Sequence, residues 1–267
     1  MFDPKQLSTE RLEALTEALE PVFEQAGQAI LTVYRQPTHR IETKTDASPV
    51  TDADLMSHDI MVAALARLTP DWPIISEEDS ALHTGAADVS AAGFDAAQPW
   101  WCLDPLDGTK EFIARTDEFS INLGLVVNAR AAFGFLYSPT ERILYRGGLG
   151  IPAQKKVAGG AWTTIACRTR AAGGGVLISS RRSTSMPEGE NFDRRDVLGS
   201  ALKFGRIAEG IADVYLRKGP TMEWDTCAGQ AIVEAAGGHV LTLDRLPLRY
   251  GKSEFRNMGF VATGRTG

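Results

Sequence analysis

Two aspartates three positions apart stand in the run Asp104-Pro105-Leu106-Asp107-Gly108-Thr109. Pro105 stiffens the segment between them. Converging carboxylates repel one another, and the arrangement becomes favourable when a cation sits between them. Gly108 admits an unusual backbone conformation or the close approach of a ligand. Thr109 adds a hydroxyl at the expected start of a helix, where free amides suit a phosphate. The run thus offers two carboxylate ligands, a backbone carbonyl and an anion cradle. The competing reading is a tight surface turn, since Asp, Pro and Gly are turn formers. The lead-in Trp100-Trp101-Cys102-Leu103 argues against it, because a solvated turn seldom follows so apolar a strand.

Other carboxylates could join this pair. Glu77 and Glu78 follow the apolar segment Trp72–Ser76, and one of them could point at the same metals; a solvated edge is the alternative. Asp225 follows Trp224 at the start of an apolar helix, where a simple N-cap is the alternative. Asp52 and Asp54 sit at another helix start, and capping alone explains one of them. Oxygen donors with no partnering His or Cys favour magnesium over zinc. His39, His58, His83 and His239 are scattered and read as structural or surface residues. The glycine runs at 147–150 and 173–175 lack phosphate-loop spacing and read as ordinary loops.

The elements that must position these residues follow from periodicity. A helix is predicted from Asp3-Pro4, with Asp3 as cap, along the stripe Leu12, Leu15, Leu19, Val22, Phe23, Ala26, Ala29, Ile30 and Val33, ending at Pro37. A second is predicted from Asp52 with Leu55, Met56, Ile60 and Ala63 facing inward. Trp72–Ser76 reads as a short strand ending at Glu77, and the Ala-rich segment Ala81–Gln98 as a surface loop. Trp100–Leu103 is a buried strand that delivers Asp104. Strands are predicted at Phe119–Val127, Ala132–Ser138 and Arg142–Arg146. The region from Gly147 to Thr164 is the candidate boundary between domains 1–153 and 154–267. Beyond it come strands at Gly175–Ser179, Ala212–Leu216, His239–Leu243 and Met258–Ala262, with helices at Val197–Glu209 and Trp224–Ala236. Strands and helices in this order predict a layered α/β architecture with a largely β N-terminal half.

The chain has 267 residues, enough for one large domain or two intimate ones. Its 28 basic and 34 acidic side chains leave a formal charge of −6, which offers no broad attraction for a nucleic-acid polymer. A local anion site is still open to it, through metals or clustered basic groups. Cys102, Cys167 and Cys227 are widely spaced, match no zinc pattern and read as apolar fillers in a reducing compartment. No signal peptide or membrane-spanning run is present, so a cytoplasmic protein is expected, with peripheral attachment to the cytoplasmic face of the inner membrane left open.

Together Glu77-Glu78, Asp104–Thr109 and Trp224-Asp225 resemble the signature of the inositol monophosphatase-like family of magnesium-dependent, lithium-sensitive phosphatases. Order and spacing match from Lys44-Thr45-Asp46 to the last strands. The chain is most similar to the bacterial CysQ branch, the 3'(2'),5'-bisphosphate nucleotidases, through Gly108–Ile113, Gly199–Phe204, Ala212–Arg217 and Gly219–Asp225. Two departures stand out: the branch usually has Ser where this chain has Ala201, and Gly at the position of Asp117.

The resemblance implies an αβαβα sandwich, with most metal ligands in the first domain and the second completing the metal site and a nucleoside pocket. It implies that Glu77, Asp104, Asp107 and Asp225 bind two or three magnesium ions by side chain and Leu106 by its carbonyl. Asp54 and Thr109 would orient and deprotonate the attacking water, and Gly108 and Thr109 would also contact the phosphate. Ser179, Ser180, Arg181, Ser200, Lys203 and Arg217, with Asp225, would line the substrate pocket. The implied reaction converts adenosine 3',5'-bisphosphate to AMP and phosphate, a housekeeping step of sulfur assimilation, in a monomer or homodimer. The alternative is an inositol-1-monophosphatase or related sugar phosphatase.

Overall fold

The computed structural model describes residues 7–37, 41–43, 49–79, 95, 98–171, 173–181, 183 and 186–265. Helix α1 (Thr9–Tyr34) keeps its apolar residues on one stripe, with Leu12, Leu19, Phe23, Ala26 and Ile30 fully buried. Its cap is Ser8, whose hydroxyl accepts the Arg11 amide. The helix therefore starts downstream of the expected Asp3-Pro4 cap, and those two residues lie outside the described ones. Strands β1 (Ile41–Thr43) and β2 (Pro49–Thr51) pair antiparallel and lead into α2 (Asp52–Leu68). Lys44-Thr45-Asp46 lies outside the described residues.

The inward face of α2 differs from the one predicted. Ala53, Asp54, Ser57, Met61, Ala64 and Leu65 are buried, whereas Leu55 and Met56 are 45% and 43% exposed. Ala63 is exposed and Ile60 half-buried. The reason is functional geometry: the first turns face polar backbone, and Ser57 donates to the Pro105 carbonyl at 2.7 Å. Apolar phasing misleads where a helix turns carboxylate and hydroxyl groups inward.

A seven-stranded sheet follows, in the order β3 (Ile74–Ser76), β4 (Trp100–Asp107), β5 (Ser120–Val127), β6 (Arg130–Ser138), β7 (Ile143–Gly148), β8 (Ile151–Val157) and β9 (Thr163–Thr164). Only β3 and β4 are parallel neighbours. Between β4 and β5 lies the short helix α3 (Thr109–Ile113). The boundary expected after residue 153 falls inside β8, whose pairing with β7 and β9 carries this sheet on to Thr164. Most of the Ala81–Gln98 segment lies outside the described residues.

The second half supplies β10 (Val176–Ser179), β11 (Arg194–Val197), α4 (Leu202–Ala208), β12 (Val214–Arg217), β13 (Thr221–Met222), α5 (Cys227–Ala235), β14 (His239–Thr242), β15 (Arg256–Asn257) and β16 (Phe260–Thr263). Five of the strands form a mixed sheet in the order β11-β10-β12-β16-β14. The helix expected over Val197–Glu209 begins only at Leu202, because Val197 ends a strand and Ser200 sits at φ +48°. The helix expected from Trp224 begins at Cys227.

Layering follows from where the apolar side chains go. One core joins α1 and α2 to the near face of the first sheet through Phe23, Trp101, Leu103 and Phe135. A second lies between the sheets, where α4 and α5 bring Phe204, Cys227 and Ile232 against Trp100, Cys102 and Tyr145. Burying each such side chain stabilises the fold by about 1.5–3 kcal/mol. On the outer face of the second sheet, Phe192 and Leu241 pack over Leu177, Val214, Leu216 and Val261. Pro187 and Gly189 interrupt the covering segment, which forms no helix over residues 186–193. All three cysteines are buried and unpaired, as fillers should be. No helix among the described residues is long and apolar enough to cross a membrane.

Candidate metal centre and adjoining pocket

Residues three apart in a regular strand point to opposite faces. Asp104 and Asp107 escape this because β4 carries a bulge: Asp104 pairs with Asn122 and Asp107 with Ser120, so three steps on one strand match two on its neighbour. Such an insertion re-aims the side chains beyond it. Both carboxylates therefore enter one cleft of about 210 Å³, which Glu77, Leu106, Gly108, Thr109 and Asp225 also line. Glu77 arrives at the end of β3, where its amide donates to the Leu103 carbonyl at 3.0 Å. Asp225 arrives from the second half. Its Oδ2 accepts the Met222 amide at 2.8 Å, and Thr226, not Asp225, is the cap position of α5.

Asp104, Asp107 and Asp225 each present an oxygen within 4.8 Å of the others. Burial, then the charges of Glu77, Asp107 and Asp225, holds the Asp104 carboxyl well above the usual carboxylate range. Burial, then Asp107 and Glu77, does the same to Asp225. The Asp107 carboxyl is pushed up to about 6 by burial, against the opposing pull of Lys203, Asn122 and the Ala201 amide. Asp104 Oδ1 accepts the Leu106 amide at 3.0 Å, but its Oδ2 is buried without a hydrogen-bond partner among the described residues. A buried, unsatisfied carboxylate oxygen amid like charges is costly unless a cation completes it. An all-oxygen donor set with this charge fits a hard divalent ion such as magnesium.

Asp54 and Thr109 meet at the edge of the cleft. Thr109 Oγ1 donates to Asp54 Oδ1 at 3.3 Å and lies 3.4 Å from the Leu106 carbonyl. Thr51 holds the other oxygen: its amide and hydroxyl donate to Asp54 Oδ2 at 2.8 and 2.6 Å. Asp54 therefore closes the capping box of α2 and touches Thr109 with the same carboxylate. Three supporting residues were not read from the sequence. Thr51 is one. Asn122 is another, donating to Asp107 Oδ2 at 3.2 Å while accepting from Ser120 at 2.9 Å. Their signal was available, since Ser120 and Asn122 are the polar interruptions in an otherwise apolar strand. The third is Glu118, whose partners are remote.

Gly108 occupies φ +94°, a region that disfavours other residues. A Cβ there would lie 2.9 Å from the Glu118 carbonyl oxygen. Gly108→Ala is accordingly expected to destabilise the protein by about 1–3 kcal/mol. Thermal denaturation of the metal-free protein measures this, and an unchanged Tm would contradict the strained turn. Asp117 stands at φ +63°, in the left-handed region that Gly favours and Asp tolerates. The usual glycine of the CysQ branch is thus replaced with the backbone shape compatible with either residue.

Beside the acidic cleft, and sharing Asp107 and Asp225 with it, lies a pocket of about 330 Å³. Ser180, Arg181, Ser200, Lys203 and Arg217 line it. Ser179 does not; it is buried at the end of β10, with its hydroxyl accepting Arg195 Nε at 2.8 Å. Lys203 is buried above the Tyr215 ring, and its pKa is lowered to about 8, first by desolvation. Arg217 Nε and Thr221 Oγ1 are buried without hydrogen-bond partners among the described residues. Buried cationic and hydroxyl donors around one space favour an anion.

The chain belongs to the inositol monophosphatase family, whose model matches residues 11–259. Within that class, it is 37% identical over 246 residues to the 3'(2'),5'-bisphosphate nucleotidase CysQ of Escherichia coli strain K12, a match spanning 88% of this chain and 94% of that one. The CysQ of Salmonella typhimurium is 37% identical over 253 residues, spanning 89% and 95%. The crystal structure of CysQ from Bacteroides thetaiotaomicron matches with a TM-score of 0.78 and 33% identity, covering 95% of this chain and 98% of the other. An inositol monophosphatase from Anabaena (Nostoc) sp. PCC 7120 shares the fold, with a TM-score of 0.69 and 21% identity over 96% and 92% of the chains.

Proposed function

We propose that this protein is a magnesium-dependent 3'(2'),5'-bisphosphate nucleotidase that hydrolyses adenosine 3',5'-bisphosphate to AMP and phosphate. One observation carries the reading: an acidic cleft suited to metal and a cationic pocket share Asp107 and Asp225 as a common wall. A substrate bearing two phosphates can place one in each. Relationship to the CysQ proteins supports the same assignment.

Glu77, Asp104, Asp107, Asp225 and the Leu106 carbonyl would hold two or three magnesium ions, which would supply Lewis-acid stabilisation of the phosphoryl charge and a more acidic water. The residues do the rest. Thr109 donates its hydroxyl proton to Asp54, so its oxygen lone pairs are free to take a proton from the attacking water. Thr51 keeps Asp54 in the orientation that receives it. Amides of the Gly108-Thr109 turn meet the phosphoryl oxygens as charge redistributes. Lys203, Arg217, Arg181 and the hydroxyls of Ser180 and Ser200 hold the retained 5'-phosphate and nucleoside.

An inositol-1-monophosphatase would need the same metals and no second anion site. Purified protein assayed with adenosine 3',5'-bisphosphate, inositol 1-phosphate and fructose 1,6-bisphosphate separates the two. The bisphosphate nucleotide is expected to show kcat/KM at least about tenfold above the inositol ester, the least that one charged hydrogen bond would supply. EDTA is expected to abolish release of phosphate from every substrate. A clear preference for inositol 1-phosphate would defeat the assignment.

A further inference from the structure

Glu118 has no part in the chemistry above, yet it touches both halves of the site. It enters β5 from Asp117, whose backbone is pinned by Tyr34 and Thr140. Its side chain is only 17% exposed. Oε2 accepts the Gly199 amide at 2.8 Å, and Oε1 accepts Arg181 Nη2. The backbone carbonyl of Glu118 packs against the Gly108 turn. From Gly199 the loop continues to Ala201, whose amide donates to Asp107 Oδ2. Lys203 ties that loop from the other side, through the carbonyls of Leu198 and Ser200.

Arg181 is 46% exposed and makes no other hydrogen bond among the described residues. The guanidinium has five N–H donors in a rigid fork, so those not facing Glu118 remain for an anion in the pocket. A fixed carboxylate behind an arginine sets its direction and lowers the entropy lost when it binds. We propose that Glu118 is a positioning residue with two arms: it aims Arg181 at the phosphate retained on the nucleotide, and it holds the Gly199–Ala201 loop that steadies Asp107. The first arm rests on the nucleotidase reading; the second does not.

Glu118→Gln leaves one acceptor oxygen for two donors. Calorimetry with AMP and with adenosine, in the presence of magnesium, tests the first arm. E118Q is expected to lose about tenfold in AMP affinity, and adenosine affinity to change less than about twofold. Arg181→Ala is expected to lose AMP affinity to a similar degree, and the double variant to lose no more than either alone, because the pair acts as one unit. Titration of magnesium into the nucleotide-free protein tests the second arm, with E118Q expected to bind severalfold more weakly. Equal losses for AMP and adenosine, or additive losses in the double variant, would show a merely structural residue and overturn the first arm. Wild-type magnesium affinity in E118Q would overturn the second. If wild-type protein binds AMP no better than adenosine, the nucleotidase reading fails, the first arm falls with it, and the magnesium titration decides the loop alone. Should E118Q not fold, Glu118→Asp, with both acceptors set back by one methylene, carries the same measurements.

Discussion

Asp104→Asn is expected to lower kcat about a thousandfold, or ~4 kcal/mol of transition-state stabilisation, while raising the thermal stability of the metal-free protein. Asparagine is nearly isosteric, and its carbonyl oxygen can still accept the Leu106 amide that Oδ1 accepts now. What disappears is a charge that burial and four neighbouring carboxylates oppose. The pH dependence has a definite sign. A carboxyl whose folded pKa is raised binds its proton more tightly in the folded state. Stability is then lost as pH rises from the unfolded value near 4 through the raised one. The wild-type metal-free protein should therefore melt lower at pH 8 than at pH 5, and this decline should be smaller in the variant. Calorimetric melting in EDTA at both pH values, beside steady-state rates with magnesium, measures all three effects. Near-normal turnover would remove Asp104 from the metal site; a lower Tm would remove the repulsion argument.

The same exchange at Asp54 is expected to act on stability with the opposite sign. Both Asp54 oxygens receive donors: the amide and hydroxyl of Thr51 on one side, the hydroxyl of Thr109 on the other. Asparagine must turn an NH₂ toward one of these sets. Loss of the cap interaction is expected to cost about 1–2 kcal/mol, and Tm to fall by roughly 2–6 °C. Loss of the proton acceptor behind Thr109 is expected to lower kcat by about 10²–10⁴, with KM nearly unchanged. Rates and melting curves on one preparation test both. Undiminished turnover in D54N would transfer the proton-accepting role elsewhere, and an unchanged Tm would deny the capping box its weight.

The carboxylates of the acidic cleft were legible because their types and spacing are unusual for a solvated turn. Asp104, Asp107 and Asp225 gather as expected, and Glu77 lines the same cleft. Elements with long apolar runs, such as β5 and β6, were legible for the same kind of reason. The inward face of α2 was not, because Asp54 and Ser57 occupy positions that apolar periodicity assigns to leucine and methionine. The strand Arg194–Val197 was not read from the sequence, since its side chains are largely exposed and follow no strong alternation; only Val197 fell within the expected helix. Glu118 was invisible for a deeper reason. Its partners are a backbone amide and an arginine far along the chain, and backbone donors leave no mark in side-chain types.

The bulge in β4 makes the spacing of the two aspartates a matter of parity. Before it, even-numbered Trp100, Cys102 and Asp104 look toward the space between the sheets, while Trp101 and Leu103 look toward α1 and α2. After it the numbering changes sides: Leu106 joins the helix-facing core and Asp107 rejoins Asp104. A slip of one residue along β4 would thus misplace two tryptophans and a carboxylate in a single step. The apolar cores act as a proofreading register, so the stability of the whole sandwich guards the coincidence of two negative charges that would otherwise separate.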